Sequence, residues 1–475
     1  MNTRPLLLTS LFVGALLLTP LVSLVQPTRV EAIAGTSLLS SAQDDVTVVL
    51  SNPSVHSKVG MPDVLYPATD PELGVMAKTL TDVLWNDIDF EREYYMIPRT
   101  SSAKIPAAAV ESLPFDQWSE LGADFVLVAT ARRNGADVAV DVRLVAVKTD
   151  VRGKQAFAKE YSNCAVANPR YCAHSIADDF HKTTRRLDGV ARTKLAFTSD
   201  RDAARMPGRP ASDASVGKEI YRSDYDGASP MRLTVNRTLN LSPAWSPVGG
   251  FLAYTSYQSG NADIYLANLA EPGRGFVKPA HGGNNIDNQS AAWSPDGTKL
   301  AFSSNRSGNN EIWVVNADGT ALQNLTNFPA ANDWAPTWSP SGAQIAFASD
   351  RAGQKQLYVM SASGTAVQRL VDREIDRPTW SRLNFIAFTM ASGPGYDIAL
   401  YDFSSRAIRV LTDGVGKNES PAVAPNGRHV AFVTTRWGKS QIAIVDMTGE
   451  TKTIRRITEA GNNTYPTWGP IPGGG

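Results

Sequence analysis

Cysteine, histidine and net charge are all scarce in this chain. Of 475 residues only two are cysteine and five are histidine, and 46 basic side chains balance 46 acidic ones. Two thiols without further ligands make no zinc site. Balanced charge gives neither a basic field for nucleic acid nor an acidic, solvated tail. The chain also has no Gly-x-Ser-x-Gly elbow, His-Glu-x-x-His, Walker loop or Gly-x-Gly-x-x-Gly. The signatures of serine hydrolases, zinc proteases and nucleotide-binding folds are therefore missing. The expectation is no catalytic residue, no cofactor and no metal. His174 and His181, seven positions apart, are expected to be partly exposed structural residues on one helix face.

Long apolar runs are equally rare. The one candidate extends from Leu6 to Val25, with Arg4 before it and the small-residue sites Val30-Glu31-Ala32 and Ala32-Ile33-Ala34 after it. This reads as a secretory signal peptide over residues 1–34. No later stretch is apolar enough to span a bilayer, so the mature chain is expected to be exported and soluble. In an oxidising compartment Cys164 and Cys172 either close a short loop as a disulfide or remain two thiols, and export favours the bond.

What the sequence does have is a repeated phrase. Ala-Trp-Ser-Pro begins at 244 and 292, Thr-Trp-Ser-Pro at 337, Thr-Trp-Ser-Arg at 379, Ala-Val-Ala-Pro at 422 and Thr-Trp-Gly-Pro at 467. The steps are 48, 45, 42, 43 and 45 residues. A period in the 40s with strand-turn-strand texture predicts radially repeated β-sheets. Within a unit, Pro295-Asp296-Gly297 and Ala317-Asp318-Gly319 are turns, because Pro presets one backbone angle and Gly supplies the next. A second strand recurs six times, as in Leu195-Ala196-Phe197 and Leu300-Ala301-Phe302, and a third as in Ile220-Tyr221 and Ile312-Trp313. The first unit lacks a Trp strand, while the last Trp strand has nothing after it. Placing residues 467–470 in the first unit completes six blades and removes two open edges.

Residues 35–188 read differently, as a two- or three-layer α/β domain. Pro71–Ile88 carries apolar residues at helical spacing with Asp70 as cap and Pro71 in the first turn. Short helix over Pro114–Trp118, strand over Phe125–Ala129, hairpin at Arg133–Ala136 into Val138–Val145, and helix over Cys172–Leu187 follow. The predicted fold class is thus an α/β N-terminal domain followed by an all-β six-bladed propeller over residues 189–475. Ala203–Gly217 is expected to be a loop inserted in the first blade.

Five residues before each repeat Trp or its equivalent stand Asn240, Asn288, Asp333, Ile375, Asn418 and Asn463, beside Leu241, Gln289, Trp334, Asp376, Glu419 and Thr464. These positions share one rim of the channel. Two readings stay open: Asn or Asp closes an Asx-type turn at strand entry, or the ring meets a partner, with Trp334, Asp376, Arg377, Glu419 and Tyr465 breaking the symmetry. Aromatic and Arg side chains are the usual interface anchors. Ser-Asp/Asn-Arg at 199–201, 304–306 and 349–351 is expected in hairpins on the opposite rim, with a structural role.

A signal peptide, a small α/β domain and six Trp-Ser-Pro-Asp-Gly-x-x-Leu-Ala-Phe repeats, WD40-like in kind, resemble the TolB family of the Tol–Pal system. Leu121–Val128, Thr193–Thr198, Glu219–Gly227 and Leu241–Pro247 carry the likeness. The resemblance implies a periplasmic, monomeric, non-enzymatic scaffold that supports outer-membrane integrity and constriction during cell division. It implies binding of the lipoprotein Pal by the propeller rim, at Asp287, Asn288, Gln289, Asn332, Asp333, Trp334, Asp376, Arg377, Asn418, Glu419, Asn463 and Tyr465. It also implies binding of the inner-membrane protein TolA by the mature N-terminus, here Asp44, Asp45, Val46, Thr47, Val48, Val49 and Leu50. The alternative is a secreted propeller enzyme or glycan-binding module with its site in the central channel.

Overall fold

The computed structural model describes residues 56–202, 217–270, 277–280, 283–447 and 453–473. The expected signal peptide, the Asp44–Leu50 segment and all but Gly217 of the expected Ala203–Gly217 loop lie outside them. The first sheet has the strand order β2-β1-β3-β4-β5, formed by β1 (Lys58–Gly60), β2 (Tyr95–Met96), β3 (Phe125–Asn134), β4 (Asp137–Ala146) and β5 (Gln155–Cys164). β1 runs parallel to both neighbours, and β3, β4 and β5 form an antiparallel meander. The helices are α1 (Pro71–Phe90), α2 (Arg99–Ser102), α3 (Phe115–Glu120) and α4 (Pro169–Arg185).

Local chemistry explains the starts. The Asp70 carboxylate accepts from the Leu73 amide and Pro71 sits in the first turn of α1, satisfying a donor that the helix itself cannot. Asn168 caps α4 in the same way through the Tyr171 amide. Phe125, Leu127, Ala129 and Ala131 alternate toward the cluster that holds α1 and α4. Val126 and Val128 face Trp118 of α3 on the other side. Helices thus cover both faces, which makes three layers. A disulfide joins Cys164 at the end of β5 to Cys172 in α4, with Cα atoms 5.4 Å apart.

The rest of the described chain folds into six four-stranded antiparallel sheets. We number these blades 1 to 6 in chain order of their second strands. The innermost strands are Asn463–Trp468 in blade 1, then Asn240–Trp245, Asn288–Trp293, Asp333–Trp338, Ile375–Trp380 and Asn418–Val423. Blade 1 is closed by its inner strand pairing with Lys194–Ser199, Trp468 opposite Leu195. The ring therefore shuts by hydrogen bonds between segments far apart in sequence. The Leu-Ala-Phe strands are buried throughout, with Ala196, Ala253, Ala301, Ala346, Ala387 and Ala431 all fully enclosed. A small side chain there lets a bulky one from the adjoining blade approach. The Trp side chains pack between blades, and Trp293 and Trp338 also donate Nε1–H to the carbonyls of Ala244 and Ala292 in the preceding blade, at 3.0 and 3.2 Å.

The α/β layers sit on the rim that carries the Trp-Ser-Pro turns, against blades 1 and 6. One apolar cluster runs unbroken from Val59 and Leu80 through Phe180 to Tyr225, Ile457 and Trp468. Polar contacts cross the same junction. The Tyr225 hydroxyl donates to Asp87 at 2.7 Å, Asn426 donates to Glu91 at 3.2 Å and His429 Nε2 lies 3.1 Å from Glu91. Gly227 has φ of 89°, and a Cβ there would lie 2.0 Å from the Ile457 carbonyl oxygen.

Candidate partner-binding rim

Every inner strand enters from the rim away from the α/β layers, and all but that of blade 5, which opens on Ile375, begin with a buried Asn or Asp. The leading side chains of blades 1, 2, 3, 4 and 6 (Asn463, Asn240, Asn288, Asp333 and Asn418) are fully buried. Asn240 donates to Glu219 at 2.9 Å, Asn288 to Asp263 at 3.2 Å, Asn418 to Asp397 at 3.2 Å and Asn463 to Gln441 at 3.0 Å. Each acceptor stands at or near the start of the third strand of the preceding blade: Glu219, Asp263 and Gln441 are its first residue and Asp397 its third. The recurring amide is thus a staple between neighbouring blades. Threonine completes it: Thr412 and Thr458 of the outer strand side donate to Asp397 and Gln441 at 2.6 and 2.7 Å. Burial of such polar groups is tolerable because each is hydrogen-bonded.

The Ser-Asp/Asn-Arg hairpins are on this same rim, which corrects their expected place on the opposite one. Antiparallel pairing sets Asn288 beside Ser304 and Asp333 beside Ser349, so the hairpin after the second strand must lie next to the entry of the first. Arg306 donates to Asn288 at 2.7 Å, Arg201 to Asn463 at 3.2 Å, and Arg351 holds Asp333 with two bonds of 3.0 and 2.9 Å. These guanidinium groups stack on rings as well, Arg351 over Tyr358 at 4.9 Å and Arg306 over Trp313 at 5.0 Å. In blade 4 a carboxylate replaces the amide and cannot donate to Glu311; Asn309 serves Glu311 instead at 2.9 Å.

A second tier lies one residue earlier. Asp287 accepts from the Ala262 amide at 3.0 Å, the Asn332 amide donates to Asp350 at 2.7 Å, and the Asn462 amide donates to Asp200 at 2.6 Å. The sequence-predicted ring therefore divides. Asn288, Asp333, Asn418 and Asn463 cannot touch a partner directly, since burial and internal bonds consume them, and their reading as contact groups is corrected here. Gln289 is exposed, and Asp287, Asn332, Trp334, Asp376 and Glu419 are partly so. Trp334 lies under the Lys355 ammonium at 4.5 Å. Sequence reasoning missed Phe328, Val415 and Trp437, exposed apolar side chains on the loops around these positions. Their signal was a bulky apolar residue inside a polar connection.

Arg377 and Tyr465 belong to the channel instead. The third residue of every inner strand has a left-handed backbone: Ser242, Ser290, Ala335, Arg377, Ser420 and Tyr465, with φ between 48° and 56°. The ladder slips at this point in all six blades. A bulge of this kind turns one side chain off the sheet face, and here all six line the channel. Pro follows in five blades, at 243, 336, 378, 421 and 466, where a missing N–H costs no ladder bond.

The histidines are likewise relocated. His174 and His181 are each only 1% exposed, at the junction with the propeller, which corrects their expected partial exposure. His174 Nδ1 is 2.7 Å from Asp87 and Nε2 3.9 Å from Asp224. Burial opposes its charge, but Asp224 and Asp87 overcome it and raise its pKa to about 9. Burial dominates at His181 and pushes it down to about 4, with Glu91 opposing. Among the described residues no group of three or more His, Cys, Asp or Glu side chains is placed to hold a metal ion, and no helix is long and apolar enough to cross a membrane.

A family model, the TolB beta propeller domain (PD40), matches residues 185–472. The chain belongs to the TolB family. Among similar proteins, the Tol-Pal system protein TolB of Desulfosudis oleivorans is 30% identical over 243 residues, covering 50% of this chain and 51% of that protein. The TolB of Escherichia fergusonii is 27% identical over 197 residues, covering 42% and 43%. The chain spans about half the length of the curated relatives it matches. The crystal structure of TolB from Acinetobacter baumannii superposes with a TM-score of 0.72 at 21% identity, over 88% of this chain and 98% of that one. That likeness supports the fold.

Proposed function

We propose that this TolB-family chain is a non-enzymatic periplasmic scaffold of the Tol–Pal type, docking a Pal-like lipoprotein on the rim away from the α/β layers. The family match and relatives named as Tol-Pal system proteins support the reading. The observation that carries it is the division of that rim. Buried staples tie neighbouring blades of the six-bladed ring together, and half-exposed Trp334, Asp376 and Glu419 with exposed Gln289 and Phe328 break its symmetry at the surface. A partner is recognised by what differs between blades, and large aromatic groups at the centre of a contact carry most of the energy. Residues Asp44–Leu50 are proposed to add as a strand to a TolA-like inner-membrane protein.

The test is affinity capture with the soluble domain of a Pal-like lipoprotein. Trp334→Ala together with Glu419→Ala is expected to weaken capture by about tenfold or more, the scale of an interface anchor, with an unchanged unfolding midpoint. Full capture by this double variant sinks the rim assignment. Deleting residues 44–50 should abolish capture of the TolA-like partner and leave Pal capture intact.

A further inference from the structure

The channel holds a cavity of about 380 Å³ bounded by the inner strands of all six blades. Its lining contains no Asp, Glu, Lys or His, and its only charged side chains are Arg377 and Arg382. The two differ. Arg382 sits at the mouth toward the α/β layers, 54% exposed, with Asp188 at 3.8 Å and the Pro425 carbonyl at 3.3 Å. Arg377 projects from the left-handed bulge of blade 5 into the bore. Its guanidinium lies 4.2 Å from the ring of Tyr465 in blade 1 and reaches the Ser242 hydroxyl in blade 2, on the opposite wall, at 3.5 Å.

A guanidinium has five N–H donors in a rigid fork. In Arg377 one of them meets a protein acceptor, at the limit of hydrogen-bond distance, and no carboxylate among the described residues lies within ion-pair reach. The rim arginines are treated otherwise: Arg351 is neutralised by Asp333 and Arg306 is held by Asn288. Ring stacking fixes the plane of Arg377 without using its donors. The bulge residues of blades 2, 3 and 6 offer hydroxyls, Ser242, Ser290 and Ser420, into the same space. The volume falls at the small end of ligand sites, and a charge walled by protein attracts its counter-ion more strongly than one in bulk water.

We propose that the channel is a binding site for a small oxyanion, a carboxylate or phosphate, held by the Arg377 fork with the serine hydroxyls of neighbouring bulges. Planar two-oxygen recognition is what an arginine fork favours over a point charge. The proposal does not rest on the rim docking reading, since Arg377 faces the bore.

Titration calorimetry on the mature full chain tests it, with inorganic phosphate and succinate as separate arms and glycerol as a neutral control. One of the two anions should bind at a single site, weaken as salt rises, and lose at least tenfold in affinity in Arg377→Gln. Phosphate alone points to a phosphorylated ligand, succinate alone to a carboxylate. Arg382→Gln, at the mouth and beside Asp188, should lose much less affinity than Arg377→Gln. Should Arg377→Gln not fold, Arg377→Lys keeps the charge without the fork and must still bind severalfold more weakly. Absence of binding by both anions, or equal affinity in the Arg377 variants, overturns the proposal.

Discussion

Asp333 gives the sharpest separation between a residue that holds the rim together and one that meets a partner. Its carboxylate is 0% exposed and accepts from Nη2 of Arg351 through both of its oxygens; the Arg351 side chain is 15% exposed. Removing one member of a buried pair leaves the other charge unsatisfied and costs about 3–5 kcal/mol. Arg351 retains Ser349 at 2.8 Å and its stacking on Tyr358, so Asp333→Ala should fall at the low end, about 3 kcal/mol. Asp333→Asn keeps one acceptor, as Asn288 does for Arg306, and should cost about 1–2 kcal/mol, roughly one charge-assisted bond. Urea unfolding followed by Trp fluorescence reads both values from the midpoint at constant slope. Pairing Asp333→Ala with Arg351→Ala in a double-mutant cycle should return a coupling above about 1 kcal/mol. If Asp333→Ala lies within about 0.5 kcal/mol of the parent, the Asp333–Arg351 pair is not structural and its part in holding the rim together has been misjudged.

Two more outcomes follow from the junction of the α/β layers with the propeller. His174, facing Asp87, Asp224 and Asp226 with Arg170 and Lys194 beyond, has its pKa raised to about 9 from an ordinary 6.5. Because the folded value is the higher one, its stabilisation is complete below about pH 6.5 and disappears as pH rises through about 9, roughly 3 kcal/mol in all. His174→Gln should flatten that alkaline limb in urea titrations at pH 6 to 10, and an unchanged limb refutes the pairing. Gly227→Ala should destabilise by about 2 kcal/mol or more through its clash with Ile457, whereas Gly308→Ala, at φ of 108° in open space, pays backbone strain alone; equal melting points would remove the close-approach argument.

Much of the architecture was legible because each blade states its own turns. Pro295-Asp296-Gly297 and its counterparts mark hairpins, and alternating bulk around Ala301 marks a strand enclosed on both faces. The displaced Trp468 strand revealed the closure. The N-terminal sheet was less legible. β1 and β2 have three and two residues, too few for any periodicity, and β5 is an edge strand whose residues Ala158, Lys159 and Glu160 all face solvent, so it does not alternate. The rim was only half legible, for a physical reason. A buried, satisfied Asn288 and a solvated, partner-seeking asparagine have the same letter, and the deciding acceptor, Asp263, lies 25 residues earlier in another blade. The adjacency of Asn288 to the Ser304–Arg306 hairpin was available in principle, since antiparallel pairing fixes it.

The closing strand also sets an order of events. Asn463 and Arg201 are 262 positions apart when they bond, so blade 1 cannot be completed until nearly the whole propeller has been made and threaded into place. Until then two sheet edges stand open, one on the strand at Lys194–Ser199 and one on the strand at Asn463–Trp468, and open edges recruit foreign strands. Ring closure over such a span is slow for entropic reasons. The newly made chain is therefore most vulnerable to mispairing in the interval before this one strand is seated, and protection of that edge is what a folding helper would have to supply.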